Sequence, residues 1–145
     1  MDETDERHLR RAIQLASIAR EAGDMPFGSL LVGPTGEVLA EARNTMLSEK
    51  DITAHPELKL ARWAGRELSG DVAQVTTMYT SCQPCPMCRG GIARSGLGRV
   101  VFALSSEQLQ DLSSAGVVAR EVAEVRYEGP AMFAEARIPL AGYYR

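Results

Sequence analysis

Residues 5–23 carry apolar side chains at Leu9, Ala12, Ile13, Leu15, Ala16, Ile18 and Ala19. Spacings of three and four predict one amphipathic helix, with Gly23 as its stop. His8 falls in the first turn and reads as an exposed, structural residue. Residues 27–32 and 37–42 are short strand-like runs around Gly33-Pro34-Thr35-Gly36, which predicts a hairpin. Asn44 ends the second strand, and 45–51 reads as a loop. A second helix is expected from Thr53-Ala54-His55-Pro56-Glu57 to about residue 68, with Leu58, Leu60, Ala61, Trp63 and Ala64 among its apolar positions. Proline is tolerated in a first turn, so Pro56 leaves His55 at the helix mouth. A strand over 75–80, a helix over 88–95 and a buried strand over 99–104 follow. Residues 105–112 read as a helix with Ser105 as N-cap and Gln108 at the capping-box position. After a loop at 113–116, a last strand is expected over 122–127. A terminal helix starts over 132–136 and is interrupted by Pro139. Helices alternating with strands predict an α/β domain of three layers, α/β/α, with helices on both faces of one mixed sheet.

Composition narrows the class. A chain of 145 residues, 45% apolar and 24% charged, is expected to form a single domain over 1–145 with a substantial core. A formal net charge of −3 gives no support to a protein that relies on phosphate contacts. No apolar run approaches a membrane span, and the acidic opening Met1-Asp2-Glu3-Thr4-Asp5-Glu6 is unlike a secretory signal. Cys82, Cys85 and Cys88 are too closely grouped for a disulfide framework. They suit a metal or redox role in a reducing compartment, so a cytoplasmic location is expected.

Two stretches carry the chemistry. Ala54-His55-Pro56-Glu57 is followed, thirty positions after its histidine, by the first cysteine of Gln83-Pro84-Cys85-Pro86-Met87-Cys88. Together they read His-x-Glu, then Pro-Cys-x-x-Cys, the signature of zinc deaminases. On this reading His55, Cys85 and Cys88 hold one zinc ion and Glu57 moves protons without touching the metal. Either half alone is weak, because Cys-x-x-Cys also occurs as a redox pair or half a zinc ribbon. Cys85 and Cys88, three apart at a helix start, project from one face, where the helix dipole favours thiolates. Three ligands with an open fourth position mark a catalytic zinc. Two thiolates and a neutral imidazole cancel the charge of the ion, so its water is acidified less than at an all-histidine site. A nearby base is then needed, and Glu57 stands there. The implied reaction is hydrolysis at a carbon bearing an exocyclic amine. Glu57 takes the water proton, passes it to a ring nitrogen and assists the departure of ammonia.

The chain resembles the cytidine/deoxycytidylate deaminase superfamily. It is nearest the branch of guanine deaminases and related nucleobase deaminases, with tRNA adenosine deaminases as cousins. The resemblance rests on Met78-Tyr79-Thr80-Ser81-Cys82-Gln83-Pro84-Cys85-Pro86-Met87-Cys88, on Pro26-Phe27-Gly28 and on Arg43-Asn44. It implies a five-stranded mixed sheet between helices, a homodimer, and a small-molecule nucleobase or nucleoside substrate, guanine-like first and cytosine-like next. It also implies that Asn44 contacts the base and that Phe27 lines the same pocket. Two positions depart from the family pattern: Pro56 replaces an alanine and Gln83 a glutamate. An acid beyond the fourth strand would hold a guanine amine, and Glu107 and Asp111 are the two candidates. Tyr143 and Tyr144 read as core residues or as a cap on a pocket, their own or a partner's.

Other readings stay open. His55, Cys82, Cys85 and Cys88 would make a closed structural zinc site in a binding module. A strand leading into Cys-x-x-Cys and a helix also describes a thioredoxin-like protein. Among deaminases, tRNA adenosine is the competing substrate, and the acidic balance favours a free base or nucleoside over nucleic acid.

Overall fold

The computed structural model describes residues 1–114 and 123–144. Helix α1 (Glu3–Glu21) is closed at its start by a reciprocal cap. The Asp2 carboxylate accepts from the Asp5 amide, and the Asp5 carboxylate accepts from the Asp2 amide. Strands β1 (Gly28–Val32) and β2 (Val38–Arg43) form the expected antiparallel hairpin. A single helical turn, α2 (Met46–Glu49), leads to α3 (Pro56–Glu67) and the short α4 (Gly70–Gln74). Strand β3 (Thr77–Cys82), helix α5 (Pro86–Ser95) and strand β4 (Arg99–Leu104) make a parallel crossover unit. Helix α6 (Ser106–Ser114) follows with the predicted capping box. The Ser105 hydroxyl accepts from the Gln108 amide, and the Gln108 side chain accepts from the Ser105 amide.

The sheet order is β2-β1-β3-β4, antiparallel except for the β3–β4 pair. Alternate residues of a strand face opposite layers. Leu30 and Val32 therefore pack with Leu9 and Ala12 of α1, beside Tyr79 and Val101. Leu31 packs on the other face with Leu60, Ala61 and Ala64 of α3, beside Met78 and Ile92. Each fully buried leucine contributes about 1.5–3 kcal/mol. This is the expected three-layer arrangement. Gly28 allows α1 to close on it, because a Cβ there would lie 2.5 Å from Leu15 Cβ and 2.6 Å from the Ala12 carbonyl oxygen.

Several expectations are corrected. Four strands form among the described residues, where five were expected. Of the fifth, 122–127, residue 122 lies outside the described residues, and 123–127 are exposed without regular structure. Val125 and Tyr127 alternate with Glu124 and Arg126, which satisfies the local strand pattern. A strand also needs a paired edge and a face to bury, and these residues have neither. The segment 45–51 is not all loop. The Met46 amide donates to the Asn44 side chain at 2.9 Å and the Ser48 amide to Asp24 at 2.8 Å, which gives the first turn of α2 its acceptors. Helix α4 was not expected and forms behind the Ser69 cap. Strand β3 starts at Thr77 rather than 75. Of the loop expected at 113–116, the first two residues complete α6 and the other two lie outside the described residues. Helix α7 (Phe133–Ala136) gives way to a 3-10 turn (Ile138–Leu140) around Pro139, as its ring requires.

His8 is buried, not exposed. It shares the core face of α1 with Asp5 and Ala12, and its ring lies 4.9 Å from that of Tyr79. No described helix is long and apolar enough to cross a membrane.

Candidate active site

His55 and Cys85 occupy equivalent places in the chain. Each is the N-cap of a helix, α3 or α5, each is followed by proline at the first helical position, and neither side chain caps its own helix. The prolines stand where an amide would lack an intrahelical partner in any case, and they fix the entry of the chain into the helix. Both side chains are left free to point at the same space. Glu57 and Cys88 lie in the first turns of the same two helices. Gly91 lets those helices approach closely, since a Cβ there would lie 2.5 Å from Leu58 Cδ1.

His55 Nδ1 lies 3.7 Å from Cys85 Sγ and 3.5 Å from Cys88 Sγ, and all three ligand atoms fall within 4.8 Å of one another. Zinc bonds of about 2.3 Å to sulfur and about 2.0–2.1 Å to nitrogen, at tetrahedral angles, need N···S edges of about 3.5–3.6 Å. The trio fits a zinc ion in both spacing and donor chemistry. The three groups share their protons. Hydrogen bonds from Cys88 and then His55 hold the Cys85 thiol far below its ordinary range. The bond to Cys85, with burial, pushes the Cys88 thiol far up. His55 is raised by its bond to Cys85. A dication held here would need both thiols as thiolates, so metal affinity at such a site would rise with pH.

Cys82 is not part of this trio. It is buried at the end of β3, where burial pushes its thiol up. The closed four-ligand site therefore lacks its fourth ligand.

Glu57 is buried, 7% exposed. Its Oε1 lies within hydrogen-bond reach of Ser29 Oγ, at 3.2 Å, and of Thr80 Oγ1, at 3.3 Å. Burial pushes its carboxyl up, opposed by hydrogen bonds that include those from Cys88 and Ser29.

A family model, the cytidine and deoxycytidylate deaminase zinc-binding region, matches residues 2–104. The chain belongs to this family. It is 31% identical to a probable cytosine deaminase of Schizosaccharomyces pombe, over 99% of this chain and 94% of that protein. It is 35% identical to a tRNA-specific adenosine deaminase of Buchnera aphidicola, over 73% of this chain and 70% of that one. The crystal structure of guanine deaminase from Bacillus subtilis shares the fold, with a TM-score of 0.77 at 29% identity over 99% of this chain and 94% of that one. The chain is thus a zinc-dependent hydrolytic deaminase, and the thioredoxin-like reading is set aside.

In this deaminase Asn44 is buried and tied down from several sides. Its backbone amide donates to the Phe27 carbonyl at 3.0 Å, which links the two residues expected to meet substrate. Lys59 of α3 donates to the Arg43 carbonyl at 3.0 Å and to the Thr45 hydroxyl at 2.5 Å, which fixes the chain on both sides of Asn44. The Met46 amide donor requires the Asn44 carbonyl oxygen, so Nδ2 remains without a partner among the described residues. Phe27 is half-buried.

Glu107 and Asp111 lie exposed on α6 and do not join the buried cluster. Tyr143 and Tyr144 pack on each other, edge to face at 5.0 Å, and both are exposed rather than core residues. Gln83 accepts from the Ser106 amide at 3.0 Å, tying the cysteine segment to the start of α6. Pro56 is fully buried. Sequence patterns alone did not single out Ser29 and Thr80. Their signal was a hydroxyl within a strand whose other residues read as buried and apolar.

Proposed function

We propose that the chain deaminates a free nucleobase or nucleoside, guanine-like first and cytosine-like next. In this reading 1–145 act as one domain, His55, Cys85 and Cys88 hold one zinc ion per chain, and Glu57 transfers the protons. The observation that supports it best is a buried carboxyl beside three donors at zinc spacing. Zinc, when bound, supplies an activated water at its open position. Glu57 has no Lys or Arg partner among the described residues, and burial raises its proton affinity. It is suited to pass one proton from the attacking water to a ring nitrogen, and a second, from the hydroxyl so added, to the leaving amine as the carbonyl forms. Asn44 presents an N–H donor, so the substrate group it meets is an acceptor, a carbonyl oxygen or a ring nitrogen. Phe27 supplies an apolar wall for the ring. The guanine and cytosine deaminase likenesses span nearly the whole chain, and the net charge of −3 disfavours RNA.

The test is ammonia release from the zinc-loaded protein given guanine, cytosine, adenine, their nucleosides, aminotriazines and a tRNA. Release from a free base or nucleoside is expected, whereas release from tRNA alone overturns the substrate reading. Cys85→Ala loses zinc by elemental analysis and Cys82→Ala keeps it. Asn44→Ala lowers kcat/KM by the equivalent of about 1–3 kcal/mol, the cost of an unpaired buried polar contact.

We infer also that the protein is a cytoplasmic homodimer. All residues over 123–144 are exposed, Tyr127, Phe133, Ile138 and Tyr143 among them. Apolar exposure of this extent marks a surface that another chain covers, and a second copy is the commonest cover. The three free cysteines fit a reducing compartment. Light scattering on the full chain at micromolar concentration should give twice the chain mass, and a monomer would overturn the assembly.

A further inference from the structure

The signature places Glu57 near the metal trio but says nothing about how its carboxyl is oriented. Two strands outside the signature's ligand set do that. Ser29 of β1 and Thr80 of β3 are cross-strand partners, both fully buried, and they face α3. Their hydroxyl oxygens lie 2.7 Å apart, and each reaches the same carboxyl oxygen of Glu57, at 3.2 and 3.3 Å. Each hydroxyl has one proton to donate. The 2.7 Å contact takes one of the two, and the other points at Glu57 Oε1. Three oxygens from three elements thus form a closed triangle, with one carboxyl oxygen as its apex. None of the three oxygens is paired with a Lys or Arg among the described residues.

We propose that Ser29 and Thr80 are positioning residues for proton transfer. They clamp Oε1, which sets the plane of the carboxyl and aims Glu57 at the reacting atoms. The proposal rests on the reading of Glu57 as the proton-transfer group. The purely structural alternative is that the hydroxyls only satisfy a buried acid, in which case their loss lowers stability and leaves turnover alone.

The experiment uses the full-length, zinc-loaded protein and whichever heterocycle in the panel releases ammonia fastest. Ser29→Ala and Thr80→Val each lower kcat by about 10–100-fold, because loss of either hydroxyl opens the triangle that holds Oε1. KM stays within about twofold and zinc remains stoichiometric, because neither side chain is expected to touch metal or ring. Thr80→Ser keeps the hydroxyl and restores kcat to within about threefold of the parent. In a Glu57→Ala background the same substitutions add no further loss, because they act through Glu57. Unchanged kcat in Ser29→Ala and Thr80→Val, with Glu57→Ala inactive, overturns the clamp and leaves the role of Glu57 standing. An equal loss in the Glu57→Ala background also overturns it. A fully active Glu57→Ala removes the role of Glu57, and the clamp with it. If Thr80→Val fails to fold, Ser29→Ala decides alone.

Discussion

Asp5 and Glu57 are both buried acids, and both are bonded by residues of β3, on opposite faces of the sheet. Tyr79 and Thr80, adjacent in that strand, reach them in opposite directions. On the α1 side, Asp5 accepts two bonds from Arg99, at 2.9 and 2.8 Å, and one from the Tyr79 hydroxyl at 2.7 Å. Arg99, and then Tyr79, hold its carboxyl well below the usual range. Burial, with Asp5 opposite, pushes the Tyr79 hydroxyl up to about 12. On the α3 side, Glu57 meets hydroxyls and a thiol, and burial pushes its carboxyl up. Both side chains are almost closed to solvent, at 4% and 7% exposed, but Glu57 lies deeper and burial is the largest cause of its rise. At Asp5 the Arg99 guanidinium outweighs burial. An acid paired with a cation keeps its charge and ties α1 to the far strand. An acid among neutral donors can change protonation, which proton transfer requires.

The largest effect should come from Glu57→Gln. Turnover falls by at least the roughly 10²–10⁴-fold of a lost general acid–base, with zinc content and melting temperature nearly unchanged. An active, zinc-replete variant would break the contrast between the two acids.

The converse variant, Asp5→Asn, should lose about 1–3 kcal/mol of stability in thermal unfolding and leave kcat intact. Half of the Arg99 side chain is exposed, which keeps the loss below that of a fully buried ion pair. The sign with pH is fixed by the direction of the shift. The folded-state pKa of Asp5 lies below its unfolded value of about 3.9. Its stabilisation is therefore complete above about pH 4 and is lost as pH falls toward the folded value. The advantage of the parent protein over Asp5→Asn should shrink in an acid titration, and a constant difference would show that the pair does not act through charge.

Tyr79→Phe removes one neutral donor to Asp5 and should cost about 0.5–1.5 kcal/mol in denaturant melts, again with normal turnover.

The smallest effect concerns His8. Burial, and then Arg7, lower its pKa against the pull of Asp5, and Nε2 has no partner among the described residues. The unfolded chain therefore binds the His8 proton first, and stability should fall as pH drops below about 6.5. His8→Phe keeps the ring against Tyr79 and should flatten stability between about pH 7 and 5. An unchanged slope would assign that pH dependence elsewhere.

Features confined to a few consecutive residues are legible in the chain itself. Periodicity marks α1, the hairpin, α3 and α5, and the capping box at Ser105 and Gln108 forms as its spacing implies. The zinc-spaced trio is legible for the same reason. Ligand chemistry at a helix mouth is written in His55-Pro56 and in Cys85 and Cys88, and only the meeting of two helices remains to be supplied. The strand pattern at 123–127 is equally local and misleads, because nothing in it states whether an edge is there to receive it.

What the tertiary structure decided lies between residues far apart in the chain. Ser29 and Thr80 are 51 positions apart, Tyr79 and Asp5 are 74, and Arg99 and Asp5 are 94. Such pairs depend on strand register, and a shift of one residue would turn each side chain to the other face. Sequence alone determined which residues carry donors at metal-ligand spacing and which carboxylate stands beside them. Register across β1, β3 and β4 decided which buried acid is locked in its charged form by a cation and which stands among neutral donors.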